Sequence, residues 1–227
     1  MYINFEYLLF MLPVIILSAV CQMWVKSTYS KYSKIMNARR MTGAQAAFYV
    51  MRNTEADGVK IESVGGTLTD NYNPSTDTVN LSEGVHSAMS IASVGIAAHE
   101  AGHAIQHHSG YSPIKLRALL VPVCNLGSSA APLLILLGIL LDMAGLYMLG
   151  IFGFCTIALF QLVTLPVEFN ASKRAMRSLE ECGILNDDEL KGARKVLTAA
   201  AMTYVAALAT SVMQIFYYTS VFNRRRK

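Results

Sequence analysis

The segment His99-Glu100-Ala101-Gly102-His103 holds the residue types with the most chemical content in this chain. Two histidines four positions apart project from one face of an α-helix, about one turn apart. They can bind one zinc ion through imidazole nitrogens. Glu100 directly follows the first histidine. From there it can take a proton from a metal-activated water and pass it to a leaving amine. Chance alone yields such a pattern in roughly one chain of two hundred, so the surroundings must carry part of the argument. The competing reading is a core or surface helix with two coincidental histidines. Ala97, Ala98, Ala101, Gly102 and Ala104 make the surface of this segment small, which lets another backbone or a substrate come close. Gly102 costs about 1 kcal/mol relative to Ala inside a helix, so something other than helix stability places it there.

A catalytic zinc takes three protein ligands and keeps one open position. His107 lies a further turn along, an advance of about 5.4 Å, too far to share the metal. His108 faces elsewhere, and both suit the C-terminal dipole of a helix. A third histidine six residues after His103 would fall on position 109, which is Ser109. The better third ligand is Glu168, immediately after the apolar run Leu165-Pro166-Val167. Two candidate spans separate it from His103, so it returns to the same side of a membrane whichever way the chain is oriented. Its rivals are Glu83, Glu180, Glu181 and Asp142. Asp142 falls on the opposite side, and Glu180 and Glu181 read as a solvated helix end.

These residues need a frame, and the composition indicates a membrane. The 227 residues are 53% hydrophobic and 15% charged, against roughly 25% charged in a soluble domain. The apolar residues concentrate in four runs, 7–25, 119–141, 146–167 and 199–222, each near the roughly 20 residues that cross a bilayer. The last is the most polar, carrying Thr203, Tyr204, Thr210, Ser211, Gln214 and Tyr217, a face suited to other helices or a water-filled cavity. The first has no Lys or Arg ahead of it and reads as an uncleaved anchor rather than a signal peptide. Lys26, Lys31, Lys34, Arg39 and Arg40 follow the first run, Lys115 and Arg117 precede the second, and Lys173, Arg174 and Arg177 follow the third. With four spans all of these lie on one side, which the positive-inside rule makes the cytoplasm. The tail Arg224-Arg225-Arg226-Lys227 opposes that assignment. The expected location is the cell membrane, multi-pass, with the active site on the cytoplasmic side.

A net charge of +4 with no basic-aromatic platform argues against nucleic acid as a partner. Cys21, Cys124, Cys155 and Cys182 form no CxxC pair, which argues against a zinc ribbon or a redox motif. The expected partners are the lipid bilayer and a protein or peptide substrate, with membrane proteins among the candidates. The oligomeric state is not legible.

Between the spans, 26–118 should hold a sheet and the zinc helix, and 168–198 a second helical part, all within one domain of residues 1–227. Thr42 is a candidate N-cap for a helix to Met51. The segments 59–63, 67–70 and 77–81 read as a small antiparallel β-sheet joined by Gly65-Gly66 and 71–75. The zinc helix should run from Val85 to His108 and stop at Gly110. Gly183 should break the second helical part before a new start at Asn186-Asp187-Asp188-Glu189.

The HEAGH segment, followed by a Glu with membrane helices between them, resembles the HtpX-like gluzincin membrane peptidases. In that group the Glu helix carries Ala three positions on and Asp four positions on. Here Ala171 matches, and Ser172 stands where the Asp is expected. Four stretches are closer still to the YugP-like bacterial family of neutral zinc metallopeptidases: 68–74, 97–106, 163–172 and 199–206. That resemblance implies an α-helical polytopic membrane protein with a gluzincin-like zinc-peptidase core, one catalytic zinc ion on His99, His103 and Glu168, and Glu100 as base then acid. It also implies that the sheet offers an edge strand to an extended peptide, and a free strand edge can bind substrate backbone. Thr78, Val79 and Asn80 are the candidates, with an ordinary structural hairpin as the equal alternative. Tyr204 is a candidate oxyanion donor, although packing at the membrane interface accounts for it as well. The alternative function is a non-catalytic membrane scaffold with a structural zinc site. A zinc transporter would need ionisable residues in mid-span, and the runs contain almost none.

Overall fold

The computed structural model describes residues 5–225; the readings that fall on residues 1–4 and 226–227 lie outside them. The order is α1 (Phe5–Tyr32), α2 (Gly43–Met51), β1 (Lys60–Val64), β2 (Asn71–Asn73), β3 (Thr78–Ser82), α3 (Glu83–His86), α4 (Ile91–His108), α5 (Ser112–Leu140), α6 (Ala144–Glu181) and α7 (Asp187–Arg225). Helices α1, α5, α6 and α7 are long and apolar enough to cross a membrane. They contain the four apolar runs, apart from Leu141 in the turn after α5, and extend beyond them.

Contacts divide the chain into two compact units. The first comprises residues up to Gln22, Leu116–Leu165 and the chain from Met202. Its core is Ala131, Ile135, Tyr147, Ile151 and Phe154, with Ile215, Tyr218 and Phe222 packed against it. Glycines bring α5 and α6 together: a Cβ on Gly150 would stand 2.9 Å from the Ala131 carbonyl oxygen. The Tyr147 hydroxyl donates to the Tyr218 carbonyl at 3.0 Å, which satisfies a phenol inside this apolar bundle. Glu6 pairs with Arg224.

The second unit comprises Met23–Lys115 and Pro166–Ala201. Here Thr42 caps α2 as expected: its hydroxyl accepts from the Gln45 N–H and the Gln45 side chain accepts from the Thr42 N–H. The buried side of α2, Ala46, Ala47, Val50 and Met51, joins Ala97, Ala98, Ala101 and Ala104 of α4 in one core with Val79, Leu81 and Leu179.

The sheet is mixed, with order β1-β3-β2. β2 pairs antiparallel with β3, as the hairpin reading requires, whereas β1 pairs parallel with it. The turn between β1 and β2 takes up 65–70, with Gly66 and Leu68 at positive φ and the Thr69 hydroxyl bonded to the Gly65 carbonyl. The strand expected at 67–70 therefore begins at Asn71 instead. This topology corrects the proposed substrate strand. Thr78, Val79 and Asn80 lie in the central strand, with backbone partners on both sides. A central strand has no free edge to offer, and Thr78 and Val79 are buried. The edges belong to β1 and β2.

The helix expected over 85–108 is also shorter. Met36 pairs with Ser90 in an isolated bridge, and the Asn37 amide donates to the Met89 carbonyl at 2.7 Å. That pairing draws the backbone out of the helix at 87–90. Ser90 then restarts it as α4, capped through a reciprocal pair of bonds with Ser93. Gly183, at φ 57, ends α6 as the sequence suggests. The Asn186 side chain accepts from the Asp188 and Glu189 N–H groups and opens α7.

Candidate metal centre

His99 and His103 stand on adjacent turns of α4, and Glu168 stands on α6. Their ligand atoms all lie within 4.8 Å of one another. Glu168 Oε2 is 3.2 Å from His99 Nε2 and 3.6 Å from His103 Nε2. Two donors at about 2.0–2.1 Å on one tetrahedral zinc sit roughly 3.3 Å apart, so this spacing fits a single ion. Two imidazoles and a carboxylate are also the donor set of one catalytic zinc class. Among the described residues no fourth His, Cys, Asp or Glu joins the cluster. Glu168 and His103 are buried, and His99 is partly open.

The approaches of α6 and of α7 to α4 depend on small residues. A Cβ on Gly102 would meet the Ala171 carbonyl oxygen at 2.8 Å, and one on Gly95 would meet the Ala193 Cβ at 3.2 Å. Gly102 is thus the contact that brings the Glu168 turn of α6 against the histidine face. The conformational cost of glycine in α4 is offset by this backbone approach.

The far side of each imidazole is held by a neutral oxygen. Gln106 is fully buried, and its Nε2 donates to the Val167 carbonyl at 2.8 Å and to Asn170 Oδ1 at 2.9 Å. Both partners accept, which fixes the amide so that Oε1 faces His103 Nδ1 at 3.0 Å. His103 must then carry its proton on Nδ1, leaving the Nε2 lone pair toward the cluster. Arg174 Nε donates to the same Asn170 oxygen at 2.9 Å and closes the network. Ser172 Oγ stands 3.1 Å from His99 Nδ1 and can accept from it in the same way. Ser172 thus occupies the place where a carboxylate was expected behind the histidine. Gln106 was missed as a functional residue; its position three after His103 was visible, but its partners lie on α6.

Glu100 is buried, and burial pushes its carboxyl pKa up. The neighbouring His99 and His103 oppose that rise, while Glu168 and Asp70 add to it. Burial works against the charged form of His103, and the Glu168 bond with the Glu100 charge outweighs it, so His103 titrates above its usual range.

The other candidates are elsewhere. His107 and His108 end α4, where His107 Nδ1 contacts the Tyr72 hydroxyl at 3.0 Å and His108 Nε2 contacts Asp77 at 2.9 Å. Glu181 pairs with Arg177. Asp142 stands at positive φ in the α5–α6 turn.

Residues 7–223 match the family described as "Putative neutral zinc metallopeptidase". The chain belongs to this family. A curated relative, "Putative membrane protease YugP" of Bacillus subtilis, is 43% identical over 206 residues, covering 91% of this chain and 92% of the relative. No solved structure matches significantly. Membership in a zinc-peptidase family implies zinc and a peptide substrate, and the His99, His103 and Glu168 cluster is a place that could hold the metal.

Proposed function

We propose that this chain is a membrane-embedded metalloendopeptidase of the HExxH-plus-Glu, gluzincin-like type. Its relative in Bacillus subtilis is described as a membrane protease, and four apolar helices support the membrane assignment here. The observation that carries the reading is the convergence of both histidine Nε2 atoms on the Glu168 carboxylate, with Glu100 in the same helix turn.

In this reading His99, His103 and Glu168 hold one zinc ion. When bound, the ion supplies Lewis-acid polarisation of the scissile carbonyl and of the attacking water. Glu100 takes a proton from that water and delivers it to the leaving nitrogen as the C–N bond breaks. Gln106 and Ser172 hold the imidazoles with their Nε2 lone pairs turned inward. Three protein ligands leave a position open, which favours catalysis over a closed structural site. The extended substrate lies along β2, a free edge whose Tyr72 reaches the end of α4. The lysines and arginines flanking the spans support a cytoplasmic side for this site in a multi-pass cell-membrane protein, read as one domain of residues 1–227.

Glu100→Gln tests the assignment. Zinc content should stay at the wild-type level while cleavage of casein-like or membrane-protein substrates falls by about 100-fold or more. Unchanged cleavage by the zinc-loaded variant would refute the role of Glu100.

A further inference from the structure

A second feature of α6 and α7 takes no part in the proposed cleavage. Between residues 169–180 of α6 and 194–201 of α7 lies a cavity of about 490 Å³. That volume lies in the range of small-molecule sites and exceeds what a lone phosphate needs. Its wall carries three cations, Lys173, Arg177 and Arg194, against one carboxylate, Glu180. Arg177 is matched by Glu181 at 2.7 Å. Lys173 and Arg194 have no ion-pair partner among the described residues. The cavity is therefore electropositive through those two side chains.

The wall is graded along its length. Phe169 and Ala201 lie where α6 and α7 run toward their apolar stretches, and Met176 and Leu197 continue the apolar lining. Arg177, Glu180 and Arg194 lie at the end remote from those stretches. Phe169 is 48% exposed, a large apolar ring beside a membrane-length segment. Cations at one end and apolar side chains toward the bilayer suit an amphiphile with an anionic head, and basic pockets between membrane helices bind such lipids.

The cavity meets the metal centre from behind. Ser172 lines it and contacts His99 Nδ1 at 3.1 Å, while His99 Nε2 faces Glu168. An occupant would reach Ser172, whose hydroxyl contacts the His99 nitrogen turned away from Glu168.

We propose that this cavity binds the phosphate headgroup of an anionic phospholipid, with Lys173 and Arg194 on the phosphate and the first acyl carbons against Met176, Leu197 and Phe169. The proposal needs α6 and α7 in a bilayer but does not depend on peptidase activity.

The test uses the full-length protein, delipidated in detergent and titrated by native mass spectrometry with phosphatidylglycerol or phosphatidylcholine. Wild type should retain phosphatidylglycerol at least about tenfold more tightly than phosphatidylcholine. Lys173→Gln with Arg194→Gln should abolish that preference, and Lys195→Gln, an exposed cation of α7 outside the cavity, should preserve it. Thr198→Trp, which fills the cavity without removing charge, should weaken phosphatidylglycerol binding as well. Equal retention of the two lipids by wild type would overturn the proposal, as would full retention by the double variant or by Thr198→Trp. Displacement of the lipid by equimolar glycerol phosphate or inorganic phosphate would overturn it too, because the site would then read a free anion.

Discussion

Two clusters on α4 have similar compositions and different fates. His99 and His103 meet Glu168 from α6, while His108 meets Asp77 from the turn before β3 and His107 beside it meets Tyr72. Each holds two histidines and an acid. In the first, four-residue spacing puts both rings on one helix face, and both Nε2 atoms reach the same carboxylate oxygen. In the second, adjacent residues diverge by about 100° around the helix. His107 uses Nδ1 on Tyr72, and His108 uses Nε2 on Asp77. The surroundings differ too: the Glu168 side chain is 4% exposed and that of Asp77 is 49% exposed. Convergence with burial makes a place that could hold a metal ion, and residue type alone does not.

The comparison can be broken most severely at its acid. Glu168→Ala should lower zinc affinity by more than the roughly 100-fold that loss of an outer hydrogen-bond partner costs, measured by competition with a chelating dye. Retained affinity would mean that the ligand set is wrong. Gly102→Ala probes the helix approach that only the first cluster needs. Gly to Ala in an open helix stabilises by about 1 kcal/mol, but here a backbone carbonyl stands in the way. The expected outcome is a net loss of about 1–3 kcal/mol in thermal or denaturant unfolding, with weaker zinc binding. A more stable variant with unchanged zinc would show that α6 does not depend on this contact.

Gln106→Leu sharpens the comparison at the outer shell. Zinc affinity should fall by about 10–100-fold in a protein of unchanged helicity, since His103 loses the acceptor that fixes its tautomer. The smallest effect belongs to the second cluster. Asp77→Asn should leave zinc content unchanged. The His108 bond holds the Asp77 carboxyl below its ordinary range; partial burial opposes this, and Tyr72 adds to it. A lowered folded pKa contributes stability above the unfolded value near about pH 4, lost as pH falls through the folded value. Acid unfolding of the wild type should therefore show a small extra loss that Asp77→Asn lacks, small because the pair is half-exposed.

Much of the first cluster was legible because local rules govern it. Histidine spacing sets a helix face, and counting the spans selects Glu168. Apolar run lengths located four helices, and Thr42, Gly183 and Asn186 marked ends through their own side-chain chemistry. What escaped depends on distant partners. Gln106 acts through a carbonyl 61 positions away. The break at 87–90 follows from a pairing with Met36. The parallel β1–β3 register needs β2 to stand on the far side of β3, which turn residues do not specify. That register moved the free edge away from Thr78, Val79 and Asn80.

The proposed function requires α4 and α6 together to hold one zinc with an open position. An anomalous-scattering map of the zinc-loaded protein measures this directly. One peak bounded by His99 Nε2, His103 Nε2 and the Glu168 carboxylate, with the fourth direction free of protein, is the predicted result. A peak elsewhere, or a fourth side chain closing the shell, would contradict it.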